Sequence, residues 1–176
     1  MKKAEEYSAD AAAAMGGDAA SYTYCYDVFL SFRRIYTGYS PGEFLHRSLV
    51  DAGIRVFGDD DESRNGEEIG KEILRAIDGA KICIPIFSQY YACSPCCLRD
   101  LAAMVESKAK SGGGKTIIPI FCDVEPRDVR LETPLYRDDL MMRKLENIYG
   151  SEEVKAWEDA LTEVGSLPGW ETRSGR

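Results

Sequence analysis

Long hydrophobic runs, positive charge and histidine are all scarce in this sequence of 176 residues. No apolar stretch approaches the roughly 20 residues that a helix needs to cross a bilayer. The only apolar tract near the start, Ala11 to Met15, is too short for the core of a secretory signal. We therefore expect an intracellular chain without a membrane partner, in which the six cysteines are thiols rather than disulfides.

The shortage of positive charge bears on binding partners. Lys and Arg number 22 against 30 Asp and Glu, which gives a net charge of −8 at pH 7. Nucleic acids and anionic membranes both favour a positive protein surface. We therefore expect no nucleic-acid partner. The length suits one domain with a sizeable core.

Strand-like and helix-like segments alternate from residue 24 onwards, which predicts one domain over residues 24–172 with a tail at 173–176. Residues 1–23 are small and polar without a sustained period, which predicts a flexible lead-in. Irregular structure is predicted between Cys122 and Ser151. The predicted strands are Tyr26–Phe32, Ile54–Phe57, Ile82–Phe87, Thr116–Cys122 and a short one at 169–171, and the predicted helices are Glu43–Ala52, Glu67–Asp78, one from Ser94, and Ser151–Val164.

This alternation predicts an α/β fold, with an open, doubly wound parallel sheet and helices on both faces. Ligands of such sheets bind outside the carboxyl ends of the strands. The loops that begin at Phe32, Gly58 and Ser88 are therefore the predicted functional rim. Pro85 and Pro119 lie inside predicted strands, where a proline either faces away from its neighbour or ends the strand.

The segment Cys93–Cys97 on that rim holds half of the cysteines. Ser94 is a good N-cap and Pro95 suits the first helical position, so a helix is predicted to begin here. Cys96 and Asp100 are four residues apart and share a helix face.

Three interpretations of this segment follow from the residues alone. The pair Cys93 and Cys96 could form a thiol–disulfide centre at a helix N-terminus. A zinc site would need a second pair of ligands, and His46 is the only histidine. The third interpretation is a packed helix start, with Cys97 in the core and Asp100 as a solvated acid.

A fourth interpretation rests on an ordered set of motifs. These are Tyr26–Arg33, Ile54–Phe57, Asp59–Glu62, Asn65–Ile69, Leu74–Ile77, Tyr91–Ser94, Cys97–Leu101, Ile118–Phe121 and Val124–Arg130. In this order and at this spacing they resemble the TIR domain of plant intracellular immune receptors, from about Tyr24 to Trp170. The resemblance implies a flavodoxin-like sheet of about five strands and immune signalling through association with other TIR-domain proteins. It also implies a location in the cytoplasm and in the nucleus.

The resemblance further implies an active site at the cysteine-rich turn. Many plant members cleave NAD+ at the nicotinamide–ribose bond, using a glutamate in the pattern Trp-Cys-Leu-x-Glu-Leu. That pattern is Cys96-Cys97-Leu98-Arg99-Asp100-Leu101 here, so Asp100 takes the catalytic position. By the same resemblance Phe32, Arg33, Ser94 and Cys96 line the pocket for NAD+, which would be a substrate. No metal and no cofactor are implied.

Two substitutions alter that implied site. Asp100 is one methylene shorter than glutamate, and a misplacement of about 1 Å can cost on the order of 100-fold in rate. Cys96 stands where the family has tryptophan, which removes ring-stacking surface. Two functions therefore remain open: a domain that cleaves NAD+, and a catalytically weak or inactive adaptor that binds other TIR proteins.

Three further departures concern loops and self-association. Arg34 replaces a family glycine, and Glu43-Phe44 replaces a Ser-His pair that some members use to self-associate. We therefore expect weaker self-pairing through that helix, although Phe44 could equally be a core residue. Family members continue with a further helix beyond Trp170, so we expect the sheet to be partly bare near that residue.

Overall fold

The structure is a computed structural model that describes residues 26–34, 40–59 and 67–174. The predicted lead-in at 1–23 lies outside these residues. So do most of the motif Asp59–Glu62 and the last two residues of the predicted tail. Within the described ranges, no helix is long and apolar enough to cross a membrane.

Helices and strands alternate along the described chain. The strands are β1 Val28–Ser31, β2 Val56–Asp59, β3 Ile82–Phe87, β4 Thr116–Ile117, β5 Ile120–Cys122 and β6 Trp170–Thr172. The helices are α1 Pro41–Asp51, α2 Glu67–Gly79, α3 Pro95–Lys110, α4 Pro126–Val129, α5 Pro134–Glu146 and α6 Ser151–Gly165, with a short 3-10 turn at Tyr91–Cys93 before α3.

The strands form one parallel sheet in the order β2-β1-β3-β5-β6, with β4 paired to β3. Strand β3 is central, and Leu30 of β1 lies opposite Ile84. Because β1 and β3 run in the same direction, their carboxyl ends meet at one edge of the sheet. The predicted α/β class, with helices around a parallel sheet of about five strands, is confirmed.

The two prolines break the ladder of hydrogen bonds at one place. Pairing of β3 with β4 ends at Cys83 and Ile117, and pairing with β5 resumes at Ile86 and Ile120. Pro119 lies in the gap and has no N–H to donate, so the predicted strand Thr116–Cys122 is divided in two. Strand β3 runs through Pro85 because that residue lies beside the same gap.

Alternate strand residues supply two separate cores. Phe29, Cys83 and Phe87 face the larger core beneath the helices that follow β2 and β3. Leu30 and Ile84 face a smaller core against which side chains of α1 pack. This alternation is the period of two that strands covered on both faces require.

The prediction of irregular structure between Cys122 and Ser151 is wrong, because α4 and α5 occupy much of it. Helix α4 begins with a proline and a capping box in which Glu125 and Asp128 bond each other's backbone N–H. Helix α5 carries apolar residues on its outer face as well as its inner face, which hides the helical period in the sequence.

Two expectations about exposed apolar residues can be compared with the structure. Phe44 of α1 is exposed rather than part of the core, whereas its neighbour Leu45 packs against the smaller core. Trp170 on the edge strand β6 is 63% exposed. Ile118 and Ile120 nearby are only half-buried. This end of the sheet is therefore less covered than its centre.

Lys115 is a buried cation that closes the C-terminal end of α2. Its ammonium donates hydrogen bonds to the carbonyl oxygens of Ile77, Asp78 and Ala80. Burial lowers the pKa of this lysine from its usual value. Carbonyls at a helix end lack some of their partners within the helix, and Lys115 supplements the Ala80 N–H that the Ile77 carbonyl already accepts.

We predict that Lys115→Met lowers the free energy of unfolding by about 1–3 kcal/mol, because it removes the buried ammonium donor from the carbonyls at the end of α2. Chemical denaturation measures the change. Lys110→Met is the matched control, since the Lys110 side chain is exposed and its ammonium pairs with Glu106 at the surface. An equal loss in both variants would contradict the role of Lys115.

The buried thiol of Cys83 should make stability depend on pH. Burial raises its pKa from 9.0 to about 11. Between these values the unfolded chain loses the thiol proton and the folded chain keeps it, so the free energy of unfolding falls as pH rises. We expect a loss of about 2 kcal/mol by pH 11 from this group. Cys83→Ala should flatten the pH profile, and an unchanged slope would refute the assignment.

Candidate functional site

Helix α3 begins where the sequence predicts. The Ser94 hydroxyl accepts a hydrogen bond from the Cys97 backbone N–H at 3.2 Å, and Pro95 is the first helical residue. Ser94 is fully buried. The start of α3 is therefore fixed against the carboxyl end of β3, on the predicted functional rim.

Asp100 lies one turn further along α3 and is only 3% exposed. The hydroxyl of Ser31, the last residue of β1, donates to the Asp100 Oδ2 atom at 3.5 Å. The interpretation of Asp100 as a solvated acid is therefore wrong. Its carboxylate is held against the end of β1, and this contact is a long and weak hydrogen bond.

A short chain of two buried hydroxyls ends at this carboxylate. The hydroxyl oxygens of Ser31 and Tyr91 are 2.8 Å apart, and the Tyr91 hydroxyl also donates to the Cys97 carbonyl at 3.2 Å. Each hydroxyl has one proton. When the Tyr91 hydroxyl donates to the Cys97 carbonyl, the one Ser31 proton can be donated either to the Tyr91 oxygen or to the Asp100 carboxylate. Two hydroxyl protons are therefore available for three hydrogen-bond contacts.

Tyr91 is held in its protonated form. Burial raises its pKa well above its usual value, and the nearby Asp100 carboxylate acts in the same direction. The ring also packs edge-on against Phe87 with centroids 4.8 Å apart. The hydroxyl chain is therefore part of the packed core, and it is a hydrogen-bond donor rather than an anion.

Sequence reasoning missed both Ser31 and Tyr91. The available signal for Ser31 was its position as the single hydroxyl within an apolar strand. Its side chain has the same orientation as Phe29, toward α3, because strand residues two apart share a face. Tyr91 carried no comparable signal, because tyrosine is common at exposed turns as well as in cores.

Phe32 occupies the other face of the sheet. It is buried in the smaller core, and its ring covers Gly42 of α1, where an added Cβ would lie 2.3 Å from a ring carbon. Phe32 also lines a cavity of about 240 Å³ together with Arg34 and His46. The structure thus brings Ser94 and Asp100 to one side of the sheet edge and Phe32 to the other.

Arg33 and Cys96 are both half-buried. The positive charge of Arg33 acts on the thiol of Cys93 and favours its ionisation. Arg33 therefore lies near the turn before α3. Ser94 and Cys96 belong to this turn and to the first turn of α3. The role of Arg33, Ser94 and Cys96 toward NAD+ remains a prediction.

Cys93 is tied to helix α5 rather than exposed as a nucleophile. Its thiol donates to the Asp139 carboxylate at 3.3 Å, and its carbonyl accepts from Arg143 at 2.7 Å. Burial raises the Cys93 pKa, and the Asp139 hydrogen bond raises it further. A thiol–disulfide centre needs a lowered thiol pKa, so this geometry disfavours that interpretation for Cys93.

The cysteines that the structure describes are all free thiols. Cys97 is buried in the larger core, as the packed-helix interpretation expected. Across the described ranges, no group of three or more His, Cys, Asp and Glu side chains is arranged to hold a metal ion.

The sheet order and the site at its carboxyl edge define a flavodoxin-like α/β domain. The TIR domain family model matches residues 25–176. This chain belongs to the TIR domain family. The resemblance carried by the ordered motifs is confirmed.

Similar proteins come from plants. The chain is 36% identical over 154 residues to the disease resistance protein RUN1 of Vitis rotundifolia, covering 87% of the chain and 11% of that protein. It is 36% identical over 126 residues to BdTIR of Brachypodium distachyon, named a probable 2' cyclic ADP-D-ribose synthase, covering 72% of the chain and 51% of that protein.

A similar solved structure is that of the TIR domains in the activated Roq1 resistosome. Its TM-score is 0.72 at 32% identity, and the match covers 83% of this chain and 87% of that one. The chain therefore matches most of the Roq1 TIR domain and about a tenth of the length of RUN1.

The shared protons of the hydroxyl chain lead to a stability prediction. Ser31→Ala and Tyr91→Phe should each lower the free energy of unfolding by about 1–3 kcal/mol, because each leaves a buried partner unsatisfied. The double variant should cost less than the sum of the two, since both changes disrupt one network. Denaturation of the four proteins measures the coupling. Strict additivity would show that the two hydroxyls act independently.

Proposed function

We propose that this chain acts in plant immune signalling by associating with other TIR-domain proteins, and that it cleaves the nicotinamide–ribose bond of NAD+ only slowly. Its action is inside the cell, in the cytoplasm and also in the nucleus. The observation that carries the proposal is the buried, shortened carboxylate of Asp100 at the catalytic position of the family.

The immune role is supported by the relatives. RUN1 of Vitis rotundifolia and protein N of Nicotiana glutinosa are both named as resistance proteins, and both match more than four-fifths of this chain. The Roq1 TIR domains belong to an assembly that recognises a pathogen effector. The function that we propose for this chain by comparison with the Roq1 assembly is association with other TIR domains, either of the same chain or of different chains.

The site supports NAD+ as the substrate class and a low rate. BdTIR is named a probable 2' cyclic ADP-D-ribose synthase, and the product in that name contains the ADP-ribose part of NAD+. Glycosidic cleavage passes through an oxocarbenium-like state that an adjacent carboxylate stabilises. Asp100 has the required charge, but it lies against Ser31 of the sheet, one methylene further from a bound ribose than a glutamate would be.

Cys96 strengthens the case for slow cleavage. It is half-buried at the first turn of α3, on the same helix face as Asp100. A cysteine presents much less apolar surface than the tryptophan of the family pattern, and it has no ring on which a base or ribose can stack. The rim therefore holds a ligand less firmly beside the carboxylate.

Measuring NAD+ consumption with concentrated protein tests this proposal. We predict that wild type is on the order of 100-fold slower than a TIR domain with the Trp and Glu pair. Cys96→Trp with Asp100→Glu should raise the rate, and Asp100→Ala should abolish what remains.

Asp51→Glu is the matched control, because it lengthens an exposed acid at the end of α1 by the same methylene. It should leave NAD+ consumption unchanged. If wild type consumes NAD+ as fast as a TIR domain that carries both the Trp and the Glu, the catalytic part of the proposal is overturned. The association part is not affected by that result.

A further inference from the structure

Asp100 is the acid at the catalytic position, and the protein rather than solvent sets its orientation. It is only 3% exposed. Burial is the main cause of the raised pKa of Cys83, and the negative charge of Asp100 adds to it. Cys83 belongs to the central strand β3 and faces the larger core. The carboxylate therefore lies near the middle of the sheet, where a buried donor is able to fix its direction.

Ser31 is a hydrogen-bond donor with a fixed position. It is fully buried at the end of β1, between Asp59 of β2 and Pro85 of β3 in the parallel register. Its hydroxyl oxygen lies 3.5 Å from the Oδ2 atom of Asp100. Because Ser31 has no surface in solvent, it contacts the carboxylate from the inside of the domain and does not face a ligand at the rim.

We propose that Ser31 is a positioning residue for the cleavage of NAD+: its hydroxyl holds the Asp100 carboxylate in the direction in which the negative charge faces the ribose. The inference rests on the proposed function and adds a residue to that site. The oxocarbenium-like state is stabilised only while the carboxylate is directed at it. A hydrogen bond to an ionised acceptor is roughly twice as strong as a neutral one. The contact from Ser31, although long, therefore restrains the buried carboxylate.

Tyr91 competes with Asp100 for the Ser31 proton. The hydroxyl oxygens of Ser31 and Tyr91 are 2.8 Å apart, which is closer than the Ser31 oxygen is to the carboxylate. The Tyr91 proton has an acceptor of its own in the Cys97 carbonyl at 3.2 Å. The Ser31 hydroxyl therefore divides its proton between two acceptors and holds the carboxylate for only part of the time. Removing the Tyr91 hydroxyl leaves Asp100 as the remaining acceptor of these two.

Steady-state consumption of NAD+ by concentrated protein tests the role of Ser31. Ser31→Ala should lower kcat about tenfold and leave KM within about twofold, because the lost group orients the acid and does not bind the substrate. Tyr91→Phe should act in the opposite direction and raise kcat by up to about twofold, because the Ser31 proton then serves Asp100 alone. Each change removes one buried hydroxyl from the same network, so loss of stability by itself predicts the same direction for both variants.

Two further variants separate orientation from stability. Ser31→Thr keeps the hydroxyl but adds a methyl group to a closely packed interior, so it should destabilise the domain and keep kcat within about twofold of wild type. Ser107→Ala is the matched control, because it removes a buried hydroxyl from the helix that carries Asp100, about 10 Å further along that helix. It should leave kcat unchanged.

The carboxyl carbon of Asp100 gives a readout that needs no turnover. Its carbon NMR signal is identified as the one that Asp100→Asn removes from the aspartate carboxyl region. Ser31→Ala should move this signal, and Ser31→Thr should leave it near its wild-type position. Tyr91→Phe should move it in the direction opposite to Ser31→Ala. The signal responds to the hydrogen bond at the carboxylate whether or not NAD+ is cleaved.

The outcomes separate this inference from the proposed function. A wild type without measurable turnover would overturn slow cleavage, and the carboxyl signal would still decide whether Ser31 positions Asp100. A kcat that Ser31→Ala leaves unchanged or raises would overturn the inference while cleavage of NAD+ stands. A fall in kcat in both Ser31→Ala and Tyr91→Phe would assign the effects to lost packing and overturn it as well. If Ser31→Ala does not fold, the direction of the change in Tyr91→Phe decides.

Discussion

Parallel pairing between β1 and β3 is the constraint on which the other features of this domain depend. It brings Ser31 and the loop after Phe87 to the same edge of the sheet. It also aligns Phe29 with Cys83, so that one face forms the larger core. The prolines leave this pairing intact because Pro85 lies beside the interruption at Pro119. A parallel sheet with both faces covered needs such a fixed central pair.

The site and the core are joined at the start of α3. A capped helix N-terminus, a buried carboxylate and two buried hydroxyls occupy the place where an α/β sheet would hold its ligand. Hydrogen bonds in such a place are strong when complete and costly when broken. Asp100 is therefore constrained by the fold as well as by any reaction, which explains how a shortened carboxylate can persist there as a structural group.

Helix α5 supports the turn that leads into the candidate site. The Cys93 thiol donates to the Asp139 carboxylate, and the Cys93 carbonyl accepts from Arg143. The inner side of α5 is therefore bound to the turn before α3. Through this turn, α5 helps to position the start of the helix that carries Asp100.

The sequence alone determined the helix and strand alternation, the start of α3 at Ser94 and the position of Asp100, because these follow from local signals of capping and period. It did not reveal α5, whose two apolar faces mask a helical period, or the partners of Asp100. Ser31 and Asp100 are 69 residues apart in the chain. Only the pairing of β1 with β3 and the packing of α3 on that face bring them together, so the burial of the carboxylate was decided by the tertiary structure.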